Sequence, residues 1–261
     1  MDFSTILYTV ENGVATIALN RPEKLNAISD RMIEELSAAV KDSSEHQKAR
    51  ALILTGSGRA FSAGGDLSEI KDSYGGPVGF QKHMQTVTDF LELFTDLPLP
   101  VIAAVNGIAA GAGANLALAC DFVLMSETAV FSELFSTIGL VGDWGGMYFL
   151  PRLVGRQRAK ELFFTGRKVG AAECRQLGIA LEVYPPEELM NAARLMAQRY
   201  AQGPTAAYGL IKKAVNQSFE ASLRTVMDYE GLSQVICSFS EDHREGLNAM
   251  AEKRSPQFKG K

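Results

Sequence analysis

The sequence predicts an α/β fold on three observations. Short apolar runs end at glycines or turn residues, helical runs separate them, and from about residue 186 onward only helical patterns occur. The 261 residues suffice for one large domain, or one domain with a small appendage.

The elements follow in order. Residues 7–10 and Val14–Leu19 read as strands joined through Glu11, Asn12 and Gly13, because Asn-Gly supplies the two positive-φ residues of a tight hairpin. Ser29 is placed to cap a helix whose Met32, Ile33, Leu36 and Val40 share a face. Residues 51–55, Val101–Val105 and residues 122–125 are nearly all apolar, as in strands buried on both faces. Residues 72–79 read as a loop because Ser73, Gly75, Gly76 and Pro77 break regular structure. The helix after it is expected to end near Pro98 and Pro100. We divide the chain into a core over 1–199 and a helical region over 200–261. Its roughly 60 residues can bury little core alone, so Leu223, Val226, Tyr229, Leu232, Val235 and Ile236 are expected to pack on the core or a partner subunit.

Composition narrows the function classes. A net charge of −4 argues against nucleic-acid and anionic-membrane binding. No apolar run reaches the roughly 18 residues of a membrane span. Met1, Asp2, Phe3 and Ser4 do not begin a secretory signal, so a cytoplasmic protein is expected. Cys120, Cys174 and Cys237 are scattered and read as small buried hydrophobes. His46, His83 and His243 lack metal-ligand spacing and are expected on surfaces or loops. There is no G-x-S-x-G elbow and no P-loop.

Asp143 is the only acid between Glu133 and Glu161, amid glycines and apolar residues. A carboxylate in such surroundings gains proton affinity and can act as a base or acid near neutral pH. The same position suits a helix N-cap, and the roles are compatible.

Two turns rich in glycine and alanine strengthen the chemical reading. One runs over residues 56–67, the other over 105–119; each leaves a strand and enters a helical run. Small residues leave backbone N–H groups bare, and a helix N-terminus adds partial positive charge. One N–H from each turn can grip a developing enolate oxygen, a contact worth roughly 3–4 kcal/mol in acyl chemistry. Each turn alone also fits an ordinary α/β connection. The second is not a dinucleotide fingerprint, since Leu116 stands where the third glycine belongs.

Together these segments resemble the crotonase superfamily, the enoyl-CoA hydratase/isomerase family. The resemblance runs through Leu19 to Ala27 (LNRPEKLNA), Phe61 to Leu67 (FSAGGDL), Pro100 to Gly107 (PVIAAVNG), Gly145-Gly146 and Lys253 to Phe258 (KRSPQF), covering essentially the whole chain. It implies a spiral of ββα units with a C-terminal helical trimerisation region, giving a homotrimer or a hexamer of paired trimers. It implies oxyanion donors at the N–H groups of Gly65 and Ala112. It implies coenzyme A contacts at Lys24, Leu25, Ala27, Ala63, Asp66 and Leu67. Phe258 and Lys259 resemble positions that reach a neighbouring subunit's ligand.

Departures from the family pattern sharpen the expectation. Hydratases of the family carry two glutamates, at the positions held here by Asn115 and Phe135; neither side chain present can exchange a proton. Glu133 is two residues from the second position. Asp143 stands where some of the family's isomerases place their single acid, and the chain most resembles the phenylacetate-pathway isomerases, which are similar to Δ3,Δ2-enoyl-CoA isomerases. Adding water needs two proton-handling groups; moving a double bond needs one. The resemblance therefore implies an acyl-CoA isomerase with Asp143 as proton shuttle. Its partner is an acyl-CoA thioester, with coenzyme A entering as part of the substrate and no metal or other cofactor. Apolar neighbours Phe135, Leu140 and Trp144 would exclude water. The alternatives are a hydratase or other lyase using Asp143 with Glu133, and a CoA- or RNA-binding protein without turnover.

Overall fold

The computed structural model describes residues 2–45, 49–72 and 74–261, with only the backbone of residues 70–72. His46 and Ser73 lie outside the described residues.

β1 (Ile6–Glu11) and β2 (Val14–Leu19) form the expected antiparallel hairpin, with Asn12 and Gly13 at φ 51° and 76°. In α1 (Asp30–Ser44), Ser29 caps the start by accepting from Met32 N at 3.2 Å, and Met32, Ile33, Leu36 and Val40 are buried. A strand pair then recurs three times. β3 (Ala51–Gly56) is followed by β4 (Ala60–Ser62), then α2 (Leu67–Asp72) and α3 (Pro77–Thr95). β5 (Val101–Val105) is followed by β6 (Ile108–Ala110) and α4 (Ala112–Leu118). β7 (Phe122–Ser126) and β8 (Val130–Ser132) lead through a 3₁₀ segment, Leu134–Ile138, into α5 (Gly146–Thr165), which kinks at Gly155. β9 (Val169–Gly170), α6 (Ala171–Leu177), β10 (Glu182–Tyr184) and α7 (Pro186–Ala201) complete the core.

Within each pair the first strand joins a six-stranded sheet, ordered β1-β2-β3-β5-β7-β10, and the second a four-stranded sheet, ordered β4-β6-β8-β9. From β2 to β10 the large sheet is parallel. This is the spiral of ββα units that the resemblance implied. The long strands were readable because they are buried on both faces. The small-sheet strands have two or three residues each, too few for a period, and only the fold reveals them.

The main core lies between the sheets and α1, α3 and α4, where Leu54, Phe61, Phe90 and Leu116 are fully or almost fully buried. A second core forms where α7 sets Leu189, Ala193 and Ala197 against Ile53, Ile102 and Leu124. Four expectations need correction. The loop is shorter than residues 72–79, because α2 reaches Asp72 and Pro77 opens α3, where its missing N–H and fixed φ suit a first turn. His83 lies half-buried within α3 and contacts Asp30 at 2.7 Å. Cys237 is only partly buried, unlike Cys120 and Cys174. Ser29 aside, the expected capping role of Asp143 is absent: α5 begins at Gly146, with Gly145 as its cap residue and no side-chain cap bond.

The last helices are α8 (Thr205–Gln217), α9 (Leu223–Ser238) and α10 (Glu241–Glu252). Lys212 ties α8 to the core: its Nζ meets Asp121 Oδ2 at 2.9 Å, and that oxygen also accepts from Val101 N at 2.8 Å. The tail folds onto α10, with Lys259 N and Gly260 N donating to the Asp242 carboxylate, and Arg50 donating to the Phe258 carbonyl. No residue of α9 is buried, and Leu223, Leu232, Ile236 and Phe239 are exposed. Among the described residues, no helix is long and apolar enough to cross a membrane.

Asp121 is mostly buried, so removing its cation should strand a charge. We expect Lys212→Ala to destabilise the fold by about 3 kcal/mol in urea denaturation, with much of the loss recovered in Asp121→Asn/Lys212→Ala.

Candidate active site

The site begins with a buried asparagine that sequence reasoning did not assign. Asn26 is at φ 56° and fully buried. Its Oδ1 accepts from Arg21 N at 2.9 Å, and its Nδ2 donates to the carbonyls of Ser57 and Ala60. Ser62 Oγ donates to Asn26 O, Ala63 N to Leu25 O, and Ile28 N to Gly64 O. These bonds stitch residues 21–28 to the turn over residues 56–67. They bring Lys24, Leu25, Ala27, Ala63, Asp66 and Leu67 onto two joined segments. Leu67 is exposed and Asp66 is buried. The Asp66 carboxylate is engaged within the protein, by Arg21 at 2.9 Å, Lys24 at 3.0 Å and Ser68. Despite its burial, those bonds hold its carboxyl well below the usual range. Its observed part is therefore to lock the loop together.

The two glycine-rich turns meet. A Cβ on Gly64, which lies at φ 104°, would stand 2.9 Å from Ala110 O and 3.6 Å from Ala112 N. One on Gly113 would stand 2.5 Å from Ser62 Cβ. Only glycine lets α4 start this close to the first turn. Gly65 remains partly accessible, and Ala112 is the first residue of α4. Among the described residues, neither Gly65 N nor Ala112 N donates to a protein acceptor. The arrangement leaves both donors available to a ligand.

Asp143 lies in the loop before α5. The next residue, Trp144, is buried with φ 49°, and Gly145 follows at φ 73°. Two consecutive left-handed residues turn the chain sharply, a strain of the kind found at functional sites. Asn115, one turn into α4, donates its Nδ2 to Asp143 O at 2.8 Å and reaches Glu133 Oε2 at 3.4 Å. Gly146 makes room for this amide, since a Cβ there would lie 2.3 Å from it. Asn115 thus gathers both acids at the start of α4. The residue unable to exchange a proton positions two that can.

Burial dominates the electrostatics. It pushes Asp143 up to about 6, against a bond from its own backbone. It pushes Glu133 up to about 8, helped by the Asp143 charge and opposed by Asn115. In the sequence Glu133 stands two residues from the family position and enters only as the partner of Asp143 in the alternative hydratase or lyase reading. Its place beside Asn115 and Asp143 comes from the fold, and no local pattern in the sequence marks it as Asp143 is marked. Beside this loop, Phe135, Leu140, Val141, Gly142, Met147 and Phe163 line part of a cavity of about 540 Å³. Phe135 and Trp144 are buried, whereas Leu140 is exposed. Phe258 and Lys259 pack on their own α10 within the chain.

The fold and the paired turns define a class of proteins built on the ββα spiral. A putative enoyl-CoA hydratase from Streptomyces coelicolor superposes with a TM-score of 0.95 at 33% identity, over 100% of this chain and 96% of that one. Among curated relatives, 1,2-epoxyphenylacetyl-CoA isomerase of Escherichia coli is 41% identical over 98% of both chains. A probable enoyl-CoA hydratase of Rhodobacter capsulatus is 40% identical over 100% of both. The model of the enoyl-CoA hydratase/isomerase family matches residues 9–261. The chain belongs to that family, and it is an enzyme of the enoyl-CoA hydratase/isomerase kind.

Glu133 and Asp143 bind protons more tightly when folded than when unfolded. Stability from this source is complete below their ordinary values and lost as pH rises through about 6 and about 8. We expect Glu133→Gln to raise the melting temperature at about pH 9 more than at about pH 5. Differential scanning fluorimetry across pH would refute this by showing equal shifts at both ends.

Proposed function

We propose that the protein is an acyl-CoA isomerase that moves a double bond with Asp143 as its single base. The observation that carries this reading is the Asp143 carboxyl. Its Oδ1 is buried without a protein partner, and Asn115 ties its loop to the helix that begins at Ala112. In a 3-enoyl thioester, Asp143 takes a proton from C2. The electron pair moves into the thioester, giving a dienolate whose oxygen is held by Gly65 N and Ala112 N. Asp143 returns the proton at C4, leaving the double bond between C2 and C3. A base pushed up to about 6 is ionised at neutral pH yet close enough in proton affinity to give the proton back. The chemistry needs no metal or redox cofactor; coenzyme A enters with the substrate and meets Lys24, Leu25, Ala27, Ala63, Asp66 and Leu67. The cavity beside residue 142 gives the acyl group room. The name of the Escherichia coli relative supports an isomerase; the name of the Rhodobacter capsulatus relative keeps a hydratase as the competing reading. The closeness of Glu133 and Asp143 is the observation in favour of that alternative.

We propose in addition that residues 200–261 form an oligomerisation region of a homotrimer or hexamer, covering the exposed apolar side chains of α9. Sedimentation equilibrium should then return three or six chain masses; a monomer at micromolar concentration would overturn it.

Turnover of a trans-3-enoyl-CoA and of crotonyl-CoA should be followed in parallel. We expect conversion of the first, little hydration of the second, and a loss of about 10²- to 10⁴-fold in Asp143→Asn. Hydration that survives Asp143→Asn would overturn the one-base mechanism. Binding of both thioesters without turnover would overturn the assignment as an isomerase.

A further inference from the structure

The hydrogen bonds around Asn115 do not balance. Its Nδ2 serves Asp143 O and Glu133 Oε2. Three acceptors remain buried and unpartnered: Asn115 Oδ1, Glu133 Oε1 and Asp143 Oδ1. Each buried acceptor left unmade costs about 1–3 kcal/mol. The side chains holding these atoms can generate one more donor only by carrying a proton on a carboxyl. If Asp143 is the base, it must be unprotonated, and the proton falls to Glu133.

We propose that Glu133 is a positioning residue that works as a neutral acid, its O–H donating within the Asn115–Asp143 cluster so that Asp143 alone carries the negative charge. With Oε2 already accepting from Asn115 Nδ2, a proton on Oε1 can close an amide–acid pair onto Asn115 Oδ1. That pair fixes the Asn115 side chain, and Asn115 in turn holds the Asp143 loop at 2.8 Å. A neutral Glu133 also keeps a second negative charge away from Asp143, which would otherwise hold its proton more tightly. The assignment rests on the reading of Asp143 as base.

Among the described residues no cation pairs with Glu133, whose proton affinity is set by burial, Asn115 and Asp143 alone, although Lys168 precedes β9, the strand paired with β8. α4 (AGANLAL) brings Asn115 and no charged group. The loop before α5 brings Asp143. Further along α5, Glu161 pairs with Arg167 and Arg158, and Arg167 also pairs with Glu173 of α6, in a separate partly exposed cluster. Arg156 and Lys160 of α5 line the neighbouring cavity. Burial and the Asp143 charge both favour the protonated form of Glu133, in the order the assignment needs.

The experiment follows the two carboxyl groups by ¹³C NMR in the substrate-free protein, wild type and Glu133→Gln, and measures turnover against pH in both. Glutamine keeps a neutral donor in the same place. We expect the Glu133 carboxyl to stay protonated at pH 7. We expect Glu133→Gln to keep turnover within about threefold there, and to retain activity above pH 8 where the wild type declines. Glu133→Leu should lose at least about tenfold, because it removes the donor. A Glu133 carboxyl already ionised at pH 7 would overturn the proposal. So would Glu133→Gln as inactive as Asp143→Asn, which would make Glu133 a proton-transfer group. The NMR arm needs no turnover, so it decides the protonation of Glu133 even if the isomerase reading fails.

Discussion

The close approach of two backbone turns is the constraint on which the rest of this structure depends. Gly113 lies so near Ser62 that a methyl group would overlap it, and Gly64 lies against Ala110 and Ala112. That contact lets the first amide of α4 and the amide of Gly65 occupy one small region. The small sheet lies beside this contact. β4, β6 and β8 are three residues each, and their parallel pairing carries both turns into register.

Burial around this contact produces the chemistry. α4 is buried along its whole length, so any polar group beside it must be satisfied or perturbed. Asn115 is the polar group placed there: its Nδ2 is satisfied by Asp143 O and Glu133, while its buried Oδ1 has no partner among the described residues. The two carboxyls share that dry corner, and both have raised proton affinity. At the first turn, Asn26 and the Arg21–Asp66 pair serve the opposite purpose. They fix an irregular loop by giving every buried polar atom of Asn26 a partner.

The C-terminal helices obey a different balance. Within one chain, α8 is tied down by Lys212 and the tail by Asp242 and Arg50, while α9 exposes large apolar side chains. A surface of that kind in water favours association. The larger cavity of about 710 Å³ lies among these helices and the tail, lined by Leu210, Ile236, Leu247 and Phe258, and shares no lining residue with the cavity beside the Asp143 loop.

The sequence by itself determined the α/β class, the hairpin at Asn12-Gly13, the cap at Ser29 and the long buried strands. Each is a local matter of φ preference, side-chain hydrogen bonding or uninterrupted apolar composition. It also marked Asp143, since a lone acid in an apolar run is visible without a fold. Tertiary structure alone decided the short strands, the helix start at Pro77, the half-buried place of His83 and the capture of Asp66 by Arg21 and Lys24. It alone placed Glu133 with Asn115 and Asp143, residues 18 and 28 positions from Asn115 in the chain. Those outcomes depend on which distant segments come within a few ångströms, and no local pattern records such distances. Proton affinity follows the same rule, because it is set by the water that packing removes.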